Sequence, residues 1–196
     1  MKRAAELLMA AGLVTTLAGI GFRLYSGDQQ RRARLEWRIA TSASRSVGGA
    51  ASETPSNEIA GRLFFPRLNQ EVFVFKGSEK ENLKRGPVWL EVTARPGSSG
   101  NSVIAGHRDT HFRFLKDVIP GEQVLFDQGK ETYSFRVARL KVVKPNDREL
   151  LAPASQGLLT LVTCYPFYHI GPSPRRYIVQ AEFTGSSSYV IGKLRE

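Results

Sequence analysis

Residues 158–166 read Leu-Leu-Thr-Leu-Val-Thr-Cys-Tyr-Pro. Leu158–Thr163 is a short apolar run of the length and composition of a buried strand. Tyr165-Pro166 breaks it, since proline has no N–H for a ladder. Cys164 therefore stands at a strand exit. The next stretch holds Gly171, Pro172 and Pro174 and reads as a loop. Arg176–Phe183 (RYIVQAEF) then returns as a second strand. If the two strands are antiparallel neighbours, Cys164 and Arg176 lie at one sheet edge.

Working outward, the same short patterns repeat. Gly61–Phe65 and Glu71–Phe75 read as strands separated by Pro66 and Asn69. Lys80–Arg85 reads as one helical turn ended by Gly86-Pro87. Val88–Thr93 alternates as a strand, and Arg95–Asn101 (RPGSSGN) is a turn cluster. Ser102–Ala105 is a buried strand running into Gly106-His107, and Thr110–Val118 a short helix closed by Pro120-Gly121. Gln123–Phe126, Thr132–Leu140 and Lys141–Lys144 read as strands, the last two as one bent strand or a pair. Asp147–Gln156 is a loop with a helical turn. Six to eight short strands with scraps of helix predict a mainly β domain, a closed barrel or a sandwich.

Chemistry can sit at the strand exits. A lone cysteine is most often an inert small hydrophobe. One fixed by a strand and opened to solvent by a loop is better placed to react. His107 has the same placement at the end of VIAG, although Asp109 could simply satisfy it locally. Together they supply a thiolate nucleophile and a proton donor for a leaving group. An oxyanion then needs a fixed donor, and Arg175 or Arg176 can supply one; the bland alternative is a pair of solvated edge charges.

Composition narrows the classes. One cysteine excludes an intramolecular disulfide and a cysteine-cage zinc site, and three histidines leave little for a histidine-rich one. No metal or cofactor is expected. The chain of 196 residues carries a net charge of +10. Seven basic and three acidic residues fall within 1–40, and the rest is spread thinly. Nucleic-acid modules show a clustered stripe or a recognised motif, and neither is present.

The N-terminus opens with Lys2 and Arg3 and continues as sixteen uncharged residues, Leu7–Phe22. Counted from Ala4 to Tyr25 the stretch can span a bilayer. No A-x-A site follows it, which favours a retained anchor over a cleaved signal; a buried soluble helix is the third reading. The arginines at 23, 31, 32, 34 and 38 outnumber Lys2 and Arg3, so charge alone leaves the orientation open. Residues 28–40 read as a solvated basic stalk, and 41–57 have the Ser/Ala/Gly composition of a linker. The expected division is an anchor at 1–27, stalk and linker at 28–57, and a catalytic domain at 58–196.

His107 in VIAGHRDTHF, TLVTC at Thr160–Cys164 and the arginines before YIVQA together resemble a sortase, over about Glu58 to Phe183. GHRDTHF and TCYPF are most similar to class D and Gram-negative sortases. The resemblance implies a closed eight-stranded β-barrel behind an N-terminal membrane-spanning helix. It implies a single-pass protein of the bacterial cytoplasmic membrane with its domain on the extracytoplasmic side. It implies a cysteine transpeptidase that cuts an LPxTG-like sorting signal between Thr and Gly. Cys164 would form the thioester, His107 would shuttle the proton, and Arg176, directly before the apolar strand, would stabilise the oxyanion; Arg175 stays the alternative. Thr163 would shape the oxyanion site. Leu150, Leu151 and Ala152 of the loop before the cysteine strand would line the signal groove, and His169 would touch substrate. The implied partners are LPxTG-type proteins, an amine acceptor of unknown identity and membrane lipid. A hydrolase on the same scaffold, with water as acceptor, is the second reading. Two departures stand out: residues 86–97 (GPVWLEVTARPG), where a second histidine is expected, hold Trp89 and no histidine, and no calcium-binding acidic cluster is evident. His111 carries no assigned role.

Overall fold

The computed structural model describes residues 2–46, 58–168 and 171–188. Helix α1 spans Lys2–Ser46, and α2 spans Lys80–Arg85. The strands are β1 (Ile59–Phe65), β2 (Gln70–Lys76), β3 (Val88–Trp89), β4 (Gly100–Ala105), β5 (Gln123–Asp127), β6 (Thr132–Val143), β7 (Gly157–Tyr165) and β8 (Arg175–Ser187). They close in the order β1-β2-β3-β4-β7-β8-β6-β5. The expected eight-stranded barrel is thus the observed one, and closure leaves no free sheet edge.

Inward side chains alternate with outward ones along each strand. Leu63, Phe65, Val72, Val74, Ile104, Val124, Phe126, Phe135, Leu159, Leu161 and Val179 fill the interior. β2 is apolar on both faces. Val72 and Val74 point into the barrel, while Phe73 and Phe75 join a second cluster with Ile59, Val88, Ala33 and Trp37. A strand that reads as a continuous apolar run is one covered on both sides. Here the outer cover is α1.

That docking corrects the solvated stalk expected at 28–40. Residues 26, 30, 33 and 37 recur at helical spacing and form one face. Ser26, Ala33 and Trp37 are buried. Trp37 meets Phe73 with ring centroids 6.1 Å apart. The Gln30 amide donates to the carbonyls of Phe73 and Arg85, both at 3.1 Å, and its oxygen accepts from the Phe73 N–H at 2.8 Å. Arg34 pairs with Glu71, which also pairs with Arg62, and Arg62 reaches the fully buried Asp127. The same helix carries exposed Leu7, Leu8, Leu13, Val14 and Leu17. Among the described residues it is the one helix long and apolar enough to cross a membrane.

Some local expectations change. The strand expected at Val88–Thr93 stops at Trp89, because the Thr93 N–H turns back to the Leu90 carbonyl. The helix expected at Thr110–Val118 is a 3-10 turn at Arg113–Asp117. Thr132–Leu140 and Lys141–Lys144 merge into one strand with register shifts near Ser134 and Val137. Of the linker expected at 41–57, residues 41–46 continue α1 as helix, while residues 47–57 and His169 lie outside the described residues.

Candidate functional site

β4 and β7 are parallel neighbours, with Ala105 beside Val162. The pairing continues one step further, where the Gly106 N–H donates to the Val162 carbonyl at 3.0 Å. His107 follows at once, level with Cys164 at the end of β7. β8 runs antiparallel on the other side of β7, and Cys164 is directly opposite Arg176. Directly opposed residues project to the same face of a sheet. Arg175 is paired instead with Tyr165, so it leaves on the opposite face from Cys164. Three strand ends thus bring His107, Cys164 and Arg176 to one rim of the barrel.

Leu159 and Leu161 belong to the interior, so Thr160, Val162 and Cys164 project outward. Val162 forms, with Val103 and Ala105, the floor of a cavity of about 430 Å³. Leu90 and the loop residues Pro145 to Arg148, Leu150 and Leu151 complete its walls. Cys164 is two residues beyond Val162 on the same face, about 7 Å along the strand. An extended peptide lying in the mostly apolar groove would therefore lead to the sulfur. Cys164 is half-buried, as is His107. Arg176 donates to the Ser173 carbonyl at 3.3 Å and to the Arg175 carbonyl at 3.1 Å. A guanidinium has five N–H donors, which leaves capacity for a developing oxyanion.

The expected groove residues divide. Leu150 and Leu151 line the cavity. Ala152 does not; its carbonyl accepts from the Asn101 amide at 3.1 Å. Thr163 faces the interior, 2% exposed, and its hydroxyl donates to the Gly106 carbonyl at 2.7 Å. Its side chain ties the cysteine strand to the histidine strand. Below the rim, Tyr165, Phe167 and Tyr177 form an aromatic cluster with centroids 5.3–6.1 Å apart. Burial, with Tyr165 nearby, raises the Tyr177 pKa and keeps its hydroxyl protonated. Among the described residues, no group of three His, Cys, Asp or Glu is placed to hold a metal.

Sequence reasoning missed two polar residues behind the site. Asn101 is buried in β4. It accepts from the Thr160 hydroxyl at 2.6 Å and donates to the carbonyls of Leu150 and Ala152. It thereby pins the 3-10 turn Arg148–Leu151 that walls the groove. The one available signal was an asparagine opening an apolar strand, which needs partners there. The second is His111, whose Nε2 lies 2.8 Å from Ser26 Oγ across 85 residues of sequence. Burial pushes its pKa down to about 4, against a smaller opposing effect of the Lys84 carbonyl. The ring is neutral near pH 7. The neutral ring and the Ser26 hydroxyl share this hydrogen bond, and the ring tautomer sets which of them donates.

The sortase-domain family model matches residues 63–184, more than half of the chain. Sortase D of Bacillus subtilis (strain 168) is 27% identical over 193 residues, covering 91% of this chain and 97% of that protein. The catalytic domain of B. anthracis SrtD superposes with a TM-score of 0.59 at 31% identity, over 72% of this chain and 97% of that one. A Clostridium perfringens sortase D5 transpeptidase shares the fold, with a TM-score of 0.64 at 21% identity over 81% of this chain and 99% of that one. Barrel, matched span and relatives agree: the chain belongs to the sortase family of cysteine transpeptidases and is class D-like.

Proposed function

We propose that the chain is a membrane-anchored sortase. It cleaves an LPxTG-like sorting signal between Thr and Gly and transfers the acyl part to an amine. The observation that carries this reading is one face of β7. Val162 floors the apolar groove and Cys164 ends it, with Arg176 directly opposite and the His107 strand alongside.

The chemistry follows from those positions. The Cys164 thiolate attacks the Thr carbonyl carbon, and the negative charge moves to the carbonyl oxygen. The Arg176 guanidinium carries a permanent charge and is fixed by its strand, so it meets that oxyanion with little reorganisation. The S–C bond forms, the Thr–Gly C–N bond breaks, and His107 gives its proton to the departing amine. The acceptor amine then attacks the thioester. Its proton returns to His107, and Cys164 leaves as a thiolate. Each cycle exchanges one amide for another and restores the resting pair.

The anchor is supported by exposed apolar surface. Leu7, Leu8 and Met9 are 72–76% exposed and Leu13, Val14 and Leu17 more than half exposed, on the part of α1 that precedes its docked face. Hydrocarbon is the solvent that suits such a surface. A single-pass placement in the cytoplasmic membrane, with the barrel outside, puts the groove where a tethered sorting signal emerges.

The test is peptide cleavage by the full chain in detergent micelles, with a fluorogenic LPxTG peptide and triglycine as acceptor. The proposal expects a ligated product that grows with acceptor concentration. Hydrolysis alone, unchanged by acceptor, would replace transfer by a hydrolase with water as acceptor.

A further inference from the structure

We propose that Ser26 and His111 form a positioning pair through which the N-terminal helix holds the catalytic-histidine loop in register. This rests on the assignment of His107 and Cys164 made above. The pair is buried on both sides, Ser26 at 3% and His111 at 7% exposed. It joins two segments 85 residues apart in sequence, the N-terminal helix and the loop that follows β4. His111 is thus tied directly to α1.

The grip is transmitted over a short path. Residues 107–112 close one turn, in which the Phe112 N–H donates to the His107 carbonyl at 2.9 Å. The Phe112 ring is fully buried and lies against Gly106, so closely that a Cβ there would stand 2.7 Å from it. The Gly106 carbonyl is itself fixed by Thr163, the residue before Cys164. The backbone of His107 is therefore held between β7 on one side and His111 on the other. A loop fixed at both ends presents its imidazole at one height above the sulfur, and a small displacement of a proton donor is costly in rate.

The helix side of the pair is equally fixed. Gln30 is bonded to the backbone of β2 and to Arg85, and Ala33 and Trp37 are buried below it. Ser26 lies four residues beyond the end of the apolar run, about 6 Å along the helix axis. Neutral histidine suits the position because either ring tautomer can pair with a hydroxyl, which both donates and accepts. The ionisable neighbours of His111 on its own loop are His107 and Asp109. On this account α1 is a part of the active-site scaffold as well as a tether.

The experiment compares full-length wild type, Ser26→Ala, Ser26→Thr and His111→Gln in detergent micelles. The glutamine amide keeps both a donor and an acceptor that can pair with the Ser26 hydroxyl. Circular dichroism first checks that each variant is folded. The expected result for Ser26→Ala is a kcat about fivefold to tenfold lower, the scale of one lost hydrogen bond, with KM within twofold. Ser26→Thr, which restores the hydroxyl, returns kcat to near wild type, and His111→Gln stays close to it. A second readout needs no substrate: the pH profile of Cys164 alkylation by iodoacetamide reports the thiol–imidazole pair. It is displaced in Ser26→Ala and restored in Ser26→Thr. Superimposable alkylation profiles and equal kcat in wild type and Ser26→Ala overturn the positioning role, even if melting falls. If the wild type cleaves no sorting peptide, the proposed function fails, while the alkylation comparison still decides the pair. If Ser26→Ala does not fold, a threonine variant that folds but alkylates unlike wild type also overturns it.

Discussion

Replacing Asn101 by alanine separates the two jobs of that residue. Its oxygen accepts from Thr160, whose hydroxyl is fully buried, and its amide holds the carbonyls of Leu150 and Ala152. The variant leaves the Thr160 hydroxyl without its acceptor, at a cost of about 1–3 kcal/mol. It also loses two amide bonds, one at 3.1 Å and a weaker one at 3.4 Å, together worth about 1–2 kcal/mol. The first loss falls on the barrel and the second on the turn that walls the groove. Adding Thr160→Val removes the orphaned hydroxyl while leaving the turn untethered. Urea denaturation of the double variant should therefore recover about 1–2 kcal/mol over Asn101→Ala. The KM for an LPxTG peptide should stay raised about fivefold or more in both, since 1.4 kcal/mol of wall ordering is tenfold in binding. A KM unchanged in Asn101→Ala would refute the reasoning, because the turn would then hold its place without the asparagine.

Other perturbations follow from the same structure. Gly106→Ala drives a Cβ to 2.7 Å from the buried Phe112 ring, and melting should show a loss of about 1–3 kcal/mol, with peptide cleavage lowered because His107 is adjacent. Arg62→Met strips the partner from fully buried Asp127 and should cost about 3–5 kcal/mol by denaturation, while Arg34→Met, on a half-exposed arginine, should cost less than about 1 kcal/mol. His111 binds its proton at about pH 4 in the folded chain but near 6.5 when unfolded. The unfolded state therefore takes up more protons between those values, so stability falls as pH drops from 6.5 to about 4, by about 3 kcal/mol in all, and is flat above 6.5. A His111→Gln variant should lose that slope in denaturation measured across the window. Trp37→Ala should lower the melting temperature through a loss of up to about 3–5 kcal/mol, capped by the docking energy of α1, because the helix can undock instead of keeping a cavity.

Most of the barrel was legible because its strands are short apolar runs bounded by Gly and Pro, and the apolar stretch Leu158–Thr163 placed Cys164 at a strand exit. The pairing of Cys164 with Arg176 was readable as an antiparallel possibility, and register then separates Arg176 from Arg175 by the pleat. The docking of α1 was not legible. Its buried face carries Ser26 and Gln30 beside Ala33 and Trp37, so no apolar stripe announces it. The clue was on the other side of the contact, in EVFVF, whose outward Phe73 and Phe75 require a cover. Thr163 was misplaced for a similar reason: adjacency to the nucleophile in sequence means opposite faces in a strand. Asn101 and His111 act through partners 49 to 85 residues away, and single-chain patterns do not encode such pairings.

The central claim is that Cys164 carries an acyl group from a sorting signal to an amine. Mass spectrometry of full-length enzyme incubated with an LPxTG peptide and triglycine tests it most directly. The account predicts an acyl adduct on the peptide that contains Cys164, a ligated triglycine product, and neither in Cys164→Ala. Ligation by Cys164→Ala at the wild-type rate, or an adduct on another residue, would contradict it.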